Sequence, residues 1–379
     1  MVILGIESSA DETVAGVVED GHRLLSNTVA SSVDLTSMYG GIVPEIAARS
    51  HIEVIIPVIE KALIDAFEAE SLELRAKSKS KGLSAGDSQL SAQFDPWDQI
   101  DAIAVTQGPG LMGSLLIGVL TARTLAIAKN KPLYPVNHVL AHTYANFITE
   151  VSPALATSYL LPATVPKFPI LALVVSGGHS QLMLYKSHKN YNLLGQTRDD
   201  AVGEAFDKVA KILGLPYPGG PSIDKAAQSG DPLSVKLPKA RMDNPYDFSF
   251  SGLKTATLRA AQVMVGKDYT LPSYELPKLL SDSQKADLAA SFQQTASETL
   301  AEATVIAEAE FKPKSVLLAG GVAANQNLRQ ELKKRLNTPL LCPDIKLCTD
   351  NAAMIAAAAF YGPKLAADPY NLEVIPNLT

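Results

Sequence analysis

The chain opens with an order of elements that it repeats later, and this repetition restricts the fold more than any other feature. Val2–Ile6 is a short apolar run that ends among small residues. Ala15–Val18 and Leu24–Ser31 follow as two further strand-like runs, joined by Asp20-Gly21. Asp-Gly between such runs is a hairpin signal, because both residues tolerate the left-handed backbone of a tight turn. After a Pro-containing loop over 152–167, the pattern returns: Ile170–Val175, the turn Ser176-Gly177-Gly178-His179, then Gln181–Tyr185 and Tyr191–Thr197. No sequence repeat links the two halves; the order of elements does.

An opening β-meander followed by a helix is the plan of ribonuclease-H-like domains. Two such α/β halves with a cleft between them are therefore the expected architecture. A length of 379 residues fits two domains better than one core. Helical periodicity is expected over Pro44–Phe67, Gly113–Ala128, His138–Phe147, Lys285–Phe311, after Asn325, and over Asn351–Phe360. The remaining apolar runs, Ile100–Thr106, Pro132–Val136 and Ser315–Ala319, read as strands. The polar segment 71–95, with the basic run Arg75–Lys81, reads as an inserted, solvated loop. The expected lobes are 1–136, completed by a C-terminal helix within 351–379, and 137–350.

Apolar content of 47% and charge of 19% describe a globular chain, and no run of about 18 unbroken apolar residues predicts a membrane span. Two cysteines, Cys342 and Cys348, cannot staple a chain this long, which fits a reducing compartment. Without a leader or transit pattern, a bacterial cytoplasm is expected, or a mitochondrion for a trimmed chain. The net charge of −6 argues against a general polyanion binder, so any nucleic-acid contact needs a local basic patch or a partner.

His138 and His142 lie four residues apart, one turn along one helix face, which is metal-ligand spacing. The Glu of a His-Glu-x-x-His protease is missing. Two histidines and one carboxylate suit Fe(II) or Zn(II), and Asp350 is the preferred third ligand. Asp350 also precedes an apolar helix, where it could serve as the N-cap instead; capping and ligation compete there. Four turns end in small residues: Gly5-Ile6-Glu7-Ser8-Ser9, Gly108-Pro109-Gly110, Ser176-Gly177-Gly178-His179 and Ala319-Gly320-Gly321. Such turns let a backbone approach phosphate oxygens, yet none is a P-loop or a Gly-x-Gly-x-x-Gly turn. Asp11 and Glu12 follow the first turn, where carboxylates could orient a nucleophile or hold a cation. Asp207 and Asp224 could accept hydrogen bonds from ligand hydroxyls.

In order along the chain stand Gly5-Ile6-Glu7-Ser8-Ser9-Ala10-Asp11-Glu12-Thr13, Gly40-Gly41-Ile42-Val43-Pro44-Glu45, Gln107-Gly108-Pro109-Gly110, His138-Val139-Leu140-Ala141-His142, Val175-Ser176-Gly177-Gly178-His179, Phe248-Ser249-Phe250-Ser251-Gly252-Leu253-Lys254-Thr255-Ala256, Gly320-Gly321-Val322-Ala323-Ala324-Asn325 and Thr349-Asp350-Asn351. Together they resemble the tRNA threonylcarbamoyladenosine synthesis family of the bacterial and organellar threonylcarbamoyltransferase type. The resemblance implies an actin-like (sugar kinase/Hsp70-type) fold of two ribonuclease-H-like lobes around a nucleotide cleft. It implies transfer of threonylcarbamoyl from threonylcarbamoyl-AMP to N6 of adenosine 37, in tRNAs reading codons that begin with adenine.

By motif, His138, His142 and Asp350 would bind one divalent metal, Fe(II) before Zn(II). Val174, Val175, Ser176, Gly177, Gly178, Asp207, Gly220, Asp224 and Asn325 would hold the adenylate, with ATP/Mg a further ligand of such a cleft. Asp11 and Glu12 would stand near the reacting centre. The family position after Ser9 is often Cys and is Ala10 here, which weighs against an essential thiol. The resemblance also implies tRNA as partner, and either a paralogous dimerising subunit with a small ATPase or a homodimer. Lys236, Lys239, Arg241 and Lys254 are the candidate tRNA-facing patch. An actin-like small-molecule kinase or ATPase, or a scaffold subunit, are the rival readings.

Overall fold

The computed structural model describes residues 1–36, 39, 41–80, 95–152, 155, 158–162, 164–362 and 366–378. In the first part of the chain, β1 (Val2–Glu7), β2 (Glu12–Glu19) and β3 (Arg23–Ser31) form an antiparallel meander. Its β1–β2 residues are nearly all buried, as their apolar runs Val2–Ile6 and Val14–Val18 favour. The turn after β2 is the expected one: Asp20 and Gly21 both take positive φ, at 49° and 70°. Next come α1 (Val33–Thr36), α2 (Pro44–Ser80), β4 (Ala102–Gly108), α3 (Met112–Lys129), β5 (Leu133–Asn137), α4 (His138–Tyr144) and β6 (Glu150–Val151). The strand order is β5-β4-β1-β2-β3-β6, with β4 and β5 parallel to β1.

The second part contains β7 (Ile170–Val175), β8 (Ser180–Ser187), β9 (Asn190–Gln196), α5 (Val202–Leu213), α6 (Gly219–Ala227), α7 (Ser251–Met264), α8 (Leu276–Leu279), α9 (Asp282–Phe311), β10 (Ser315–Ala319), α10 (Gln326–Arg335) and β11 (Leu340–Leu341). Its sheet runs β11-β10-β7-β8-β9. Read from each unit's own first strand, both sheets share the order fifth-fourth-first-second-third, to which the first sheet adds β6 beside β3. The repeat seen in the sequence is thus a repeat of topology, and the chain has the actin-like fold of two ribonuclease-H-like lobes. The final helix, α11 (Ala352–Tyr361), returns to the first unit.

The units divide differently from the lobes expected above. The first holds Ile42–Val165 and Asp350–Thr379 besides the opening meander, and the second is built on Pro166–Thr349. The segment 137–165 therefore belongs to the first unit. The reason is register: β5 completes the first sheet beside β4, and α4 starts at the next residue. A second difference concerns the polar segment, where α2 continues to Ser80 through most of the basic run read as loop. Residues 81–94 of that segment lie outside the described residues, and Asp95 caps the short turn Pro96–Gln99.

In the first unit, period-two alternation sorts the strand residues onto two faces. Leu4, Ile6, Ala15 and Val17 join Ile55, Ile59, Leu63, Val119 and Ala122 in one core with α2 and α3. The other face receives α11: a Cβ on Gly5 would lie 2.2 Å from the Ala352 carbonyl oxygen, so this glycine serves close packing. Helix α3 is long and apolar enough by composition alone to cross a membrane. It packs one face on the lobe through buried Leu115, Gly118, Val119 and Ala122. The second core is built from β7 and β10 residues with Phe206, Phe248, Phe250 and Phe292. Cys348 is buried there and Cys342 is half-buried.

Candidate functional site

Helix α4 begins where β5 ends, and Asn137 fixes the junction. Its side-chain oxygen accepts from the Val139 and Leu140 amides at 2.9 and 3.1 Å. This N-cap sets the phase of the helix and turns His138 and His142 to one side. At the start of α11 the competition over Asp350 is settled by its neighbour. Asn351 is the N-cap, with its side-chain oxygen 2.8 Å from the Met354 amide, which leaves the Asp350 carboxylate for other partners. One of its oxygens lies 3.5 Å from Nε2 of both His138 and His142. Ligand atoms of the three residues all fall within 4.8 Å of one another.

The sequence reading missed Glu7. It is completely buried at the end of β1, yet its carboxylate is well served. Oε1 accepts from the Ser9 amide and Oε2 from the Thr106 hydroxyl, each at 2.5 Å, and Oε2 lies 2.9 Å from His138 Nδ1. Ser9 Oγ is 3.2 Å from the same ring nitrogen. A His that donates its far nitrogen to a carboxylate presents the other nitrogen as a fixed, more basic ligand. His138 therefore aims Nε2 at Asp350, and the donor set fits a divalent metal with open positions. The available signal was a carboxylate inside an otherwise apolar strand, which is costly unless paired.

Electrostatics tie these groups together. Burial acts to raise the Glu7 carboxyl, but the His138 charge and the hydrogen bonds from His138, Thr106 and Ser9 outweigh it and hold it down to about 2. Burial acts to lower His138, but the Glu7 and Asp350 charges lift it to about 9. Asp350 rises to about 6 through burial, which the His138 charge partly offsets. Glu12 rises to about 9 through burial and the charges of Asp350, Asp11 and Glu7. Asp11 is raised by burial. Asp11, Glu12, Asp350 and His138 thus hold their protons more tightly than usual, while Glu7 stays ionised beside His138.

The four small-residue turns have different uses. Gly108-Pro109-Gly110 is covered by the C-terminal segment: the Gly110 amide donates to the Pro376 carbonyl and the Ile375 amide to that of Gln107. A Cβ on Gly108 would lie 1.8 Å from the Ile375 carbonyl oxygen, so this turn is a packing joint and not a phosphate cradle. Gly5 likewise serves packing. Gly177 and Gly178, by contrast, are exposed at the β7–β8 turn with open space where a Cβ would stand, and Gly220 is similarly open. Val174 and Val175 are fully buried strand residues that support the Ser176-Gly177-Gly178 turn from below. Gly320, at φ +91°, packs against the Val175 carbonyl, with a Cβ position 2.3 Å from that oxygen.

The other second-unit residues gather around the same strand ends. Gly203 at the start of α5 donates to the Ser176 carbonyl at 3.3 Å, and Asp207 one turn on accepts from the Gly219 amide at 2.7 Å. Asp207 is raised above the usual carboxylate range by burial. Asn325 uses its oxygen to cap α10 at the Leu328 amide and its nitrogen on Gln293 at 2.8 Å, with Asp224 at 3.5 Å. The basic patch is only half available: Lys239 pairs with Glu298 and Glu302, and Lys254 with Asp200, while Lys236 and Arg241 are exposed.

Known proteins share the fold and, more closely, the sequence. Two HypF structures share the fold. That of T. kodakarensis has TM-score 0.52 at 13% identity over 95% of this chain and 47% of its own. The phosphate- and nucleotide-bound form has TM-score 0.50 at 11% identity over 95% and 46%. Sequence relatives are much nearer. The tRNA N6-adenosine threonylcarbamoyltransferase of Thermomicrobium roseum is 49% identical over 95% of this chain and 92% of its own length. Those of Symbiobacterium thermophilum and Dehalococcoides mccartyi are 49% and 43% identical, covering 95% and 100% of this chain and 91% and 99% of their own. A family model of that description matches residues 23–74 and 91–357. The chain therefore belongs to the tRNA N6-adenosine threonylcarbamoyltransferases, acyltransferases whose substrate is a tRNA.

Proposed function

We propose that this protein moves the threonylcarbamoyl group from threonylcarbamoyl-AMP to N6 of adenosine 37 in tRNAs that read codons beginning with adenine. The observation that carries the site assignment is the convergence of His138, His142 and Asp350, with Glu7 behind His138. These three residues hold one divalent metal, Fe(II) or Zn(II). When bound, such an ion supplies Lewis acidity toward a carbonyl or phosphoryl oxygen.

The donor is a mixed anhydride and already activated, so the chain need not supply a covalent nucleophile. The adenine N6 attacks the carbamoyl carbon, the bond to the phosphate oxygen breaks, AMP leaves, and one proton must go from N6 to a base. Glu12, raised to about 9 by burial and by the neighbouring carboxylates, would be ionised by a cation held on His138, His142 and Asp350 and in that form would take the proton, while Asp11 orients the amine. In the second unit, the Ser176-Gly177-Gly178 turn offers open amides to the adenylate phosphate, while Asp207, Gly220, Asp224 and Asn325 hold its nucleoside, as they would ATP/Mg.

Exposed Met112, Leu116, Leu120 and Ile127 form one stripe on α3, and Ile52, Ile56 and Ile64 are exposed on α2. Apolar side chains gathered in this way favour an interface. The partner reading is a paralogous dimerising subunit working with a small ATPase, or a second copy of this chain. Free Cys342 and Cys348 fit a reducing cytoplasm.

The test is transfer in vitro with unmodified tRNA and donor formed in situ from threonine, bicarbonate and ATP, read by nucleoside mass spectrometry. The metal-loaded protein should form product, alone or with partner subunits, and the His138→Ala/His142→Ala variant should not. Equal product from both would discard the metal site. Rapid ATP turnover without tRNA would favour a kinase.

A further inference from the structure

His51, on α2, has no exposed surface and uses both ring nitrogens. Nε2 lies 3.0 Å from the Ala10 carbonyl oxygen, and Nδ1 lies 2.7 Å from Thr13 Oγ1. A carbonyl only accepts, so Nε2 carries the proton and Nδ1 accepts from the Thr13 hydroxyl. Burial holds the imidazole below its ordinary range, which keeps the ring neutral and this tautomer in place.

The two bonds bracket Asp11 and Glu12, one before the pair and one after it. Strand alternation makes the second bond decisive. Thr13 lies on the sheet face covered by α2, with Ala15 and Val17. Glu12 lies on the opposite face with Gly16, whose Cβ position meets Ala352 of α11 at 3.4 Å. Holding Thr13 from one side therefore fixes where the Glu12 carboxylate emerges on the other. Ser114 Oγ on the Ala10 carbonyl at 3.0 Å, and Ser32 Oγ on the Asp11 carbonyl at 2.8 Å, brace the same segment.

We propose that His51 is a positioning residue for the transfer reaction: it clamps the Ala10–Thr13 backbone so that the Asp11 and Glu12 carboxylates hold their geometry for the incoming amine. The inference rests on the roles given above to those carboxylates.

The test compares steady-state transfer, metal content and thermal unfolding for His51→Leu, His51→Gln, Thr13→Val, Asp11→Asn, Glu12→Gln and the double variant His51→Leu/Glu12→Gln. Misplacing a reacting group by about 1 Å costs up to roughly 100-fold. His51→Leu should therefore lower kcat by about 10- to 100-fold, with KM for tRNA and metal content unchanged. His51→Gln can place an amide N–H near the position of Nε2 and should restore most of the rate; Thr13→Val, nearly isosteric, should lower kcat in the same direction. If His51 acts through Glu12, the double variant should be little worse than Glu12→Gln. Wild-type kcat in His51→Leu beside an impaired Glu12→Gln would overturn the positioning role alone, as would fully additive losses. Wild-type rates in both Asp11→Asn and Glu12→Gln would remove the carboxylate reading, and this proposal with it. Should His51→Leu fail to fold, the kcat of Thr13→Val decides: unchanged, it overturns the clamp.

Discussion

Replacing Glu7 with glutamine changes a carboxylate to an amide of nearly the same shape at a point where three donors converge. The Ser9 amide and Thr106 hydroxyl lie 2.5 Å from its oxygens, and His138 Nδ1 lies 2.9 Å away. Glutamine offers one acceptor oxygen, and its NH2 must face at least one of those donors. An unsatisfied buried donor costs about 1–3 kcal/mol. The His138 proton adds to this. With Glu7 present, His138 rises from 6.5 to about 9, so its stabilisation is complete below pH 6.5 and is lost as pH rises through about 9. At pH 7.5 roughly 2 kcal/mol of it remains, shared by Glu7, Asp350 and Glu12, so removing Glu7 alone forfeits about 1 kcal/mol of it. The depressed Glu7 carboxyl reports the same interaction and is counted once.

Glu7→Gln should therefore lose about 2–4 kcal/mol of metal-free stability at pH 7.5, measured by denaturant unfolding. The wild type should weaken between pH 6.5 and 9.5 relative to the variant, whose profile over that range should be flatter. Metal affinity should fall about 10- to 100-fold, because the carboxylate no longer orients the His138 ligand. A variant with wild-type metal affinity and the same pH profile would refute the reasoning.

Further outcomes follow from other parts of the molecule. Gly5→Ala would drive a methyl to 2.2 Å from the Ala352 carbonyl and should lower stability by about 1–3 kcal/mol or more, seen as a drop in Tm. Removing residues 367–379 strips the cover from the Gly108 turn, together with Leu372 and the Ala367–Leu133 bridge, and should lower Tm and speed proteolysis. Cys348, raised to about 11 by burial, remains a thiol at pH 8, so iodoacetamide should alkylate it far more slowly than a free cysteine. Chelation should abolish transfer, and Fe(II) or Zn(II) should restore it; full activity of the chelated protein would reject the ligand set.

Most of the secondary structure was legible because its signals are local. Ile170–Val175 and Ser315–Ala319 are strands with the bounds their apolar runs suggest. The β-meander and its repetition carried the topology of both sheets. The helical spacing of His138 and His142 was legible for the same reason: four residues is one turn wherever the helix lies.

What the amino-acid order did not display are contacts between residues far apart along the chain. Glu7 meets His138 across 131 positions, because β1, β4 and β5 lie side by side in register and α4 starts at the end of β5. The C-terminal segment covers Gly108 across more than 260 positions, turning a phosphate-like motif into a packing joint. The question over Asp350 was decided by Asn351 taking the cap. Sequence by itself determined the element types, the repeated topology and the imidazole spacing, since these depend on backbone periodicity. Only the tertiary structure decided which carboxylate backs which histidine, which glycine turn stays open and where the lobes divide, since these depend on which side chains and amides each buried group finds as partners.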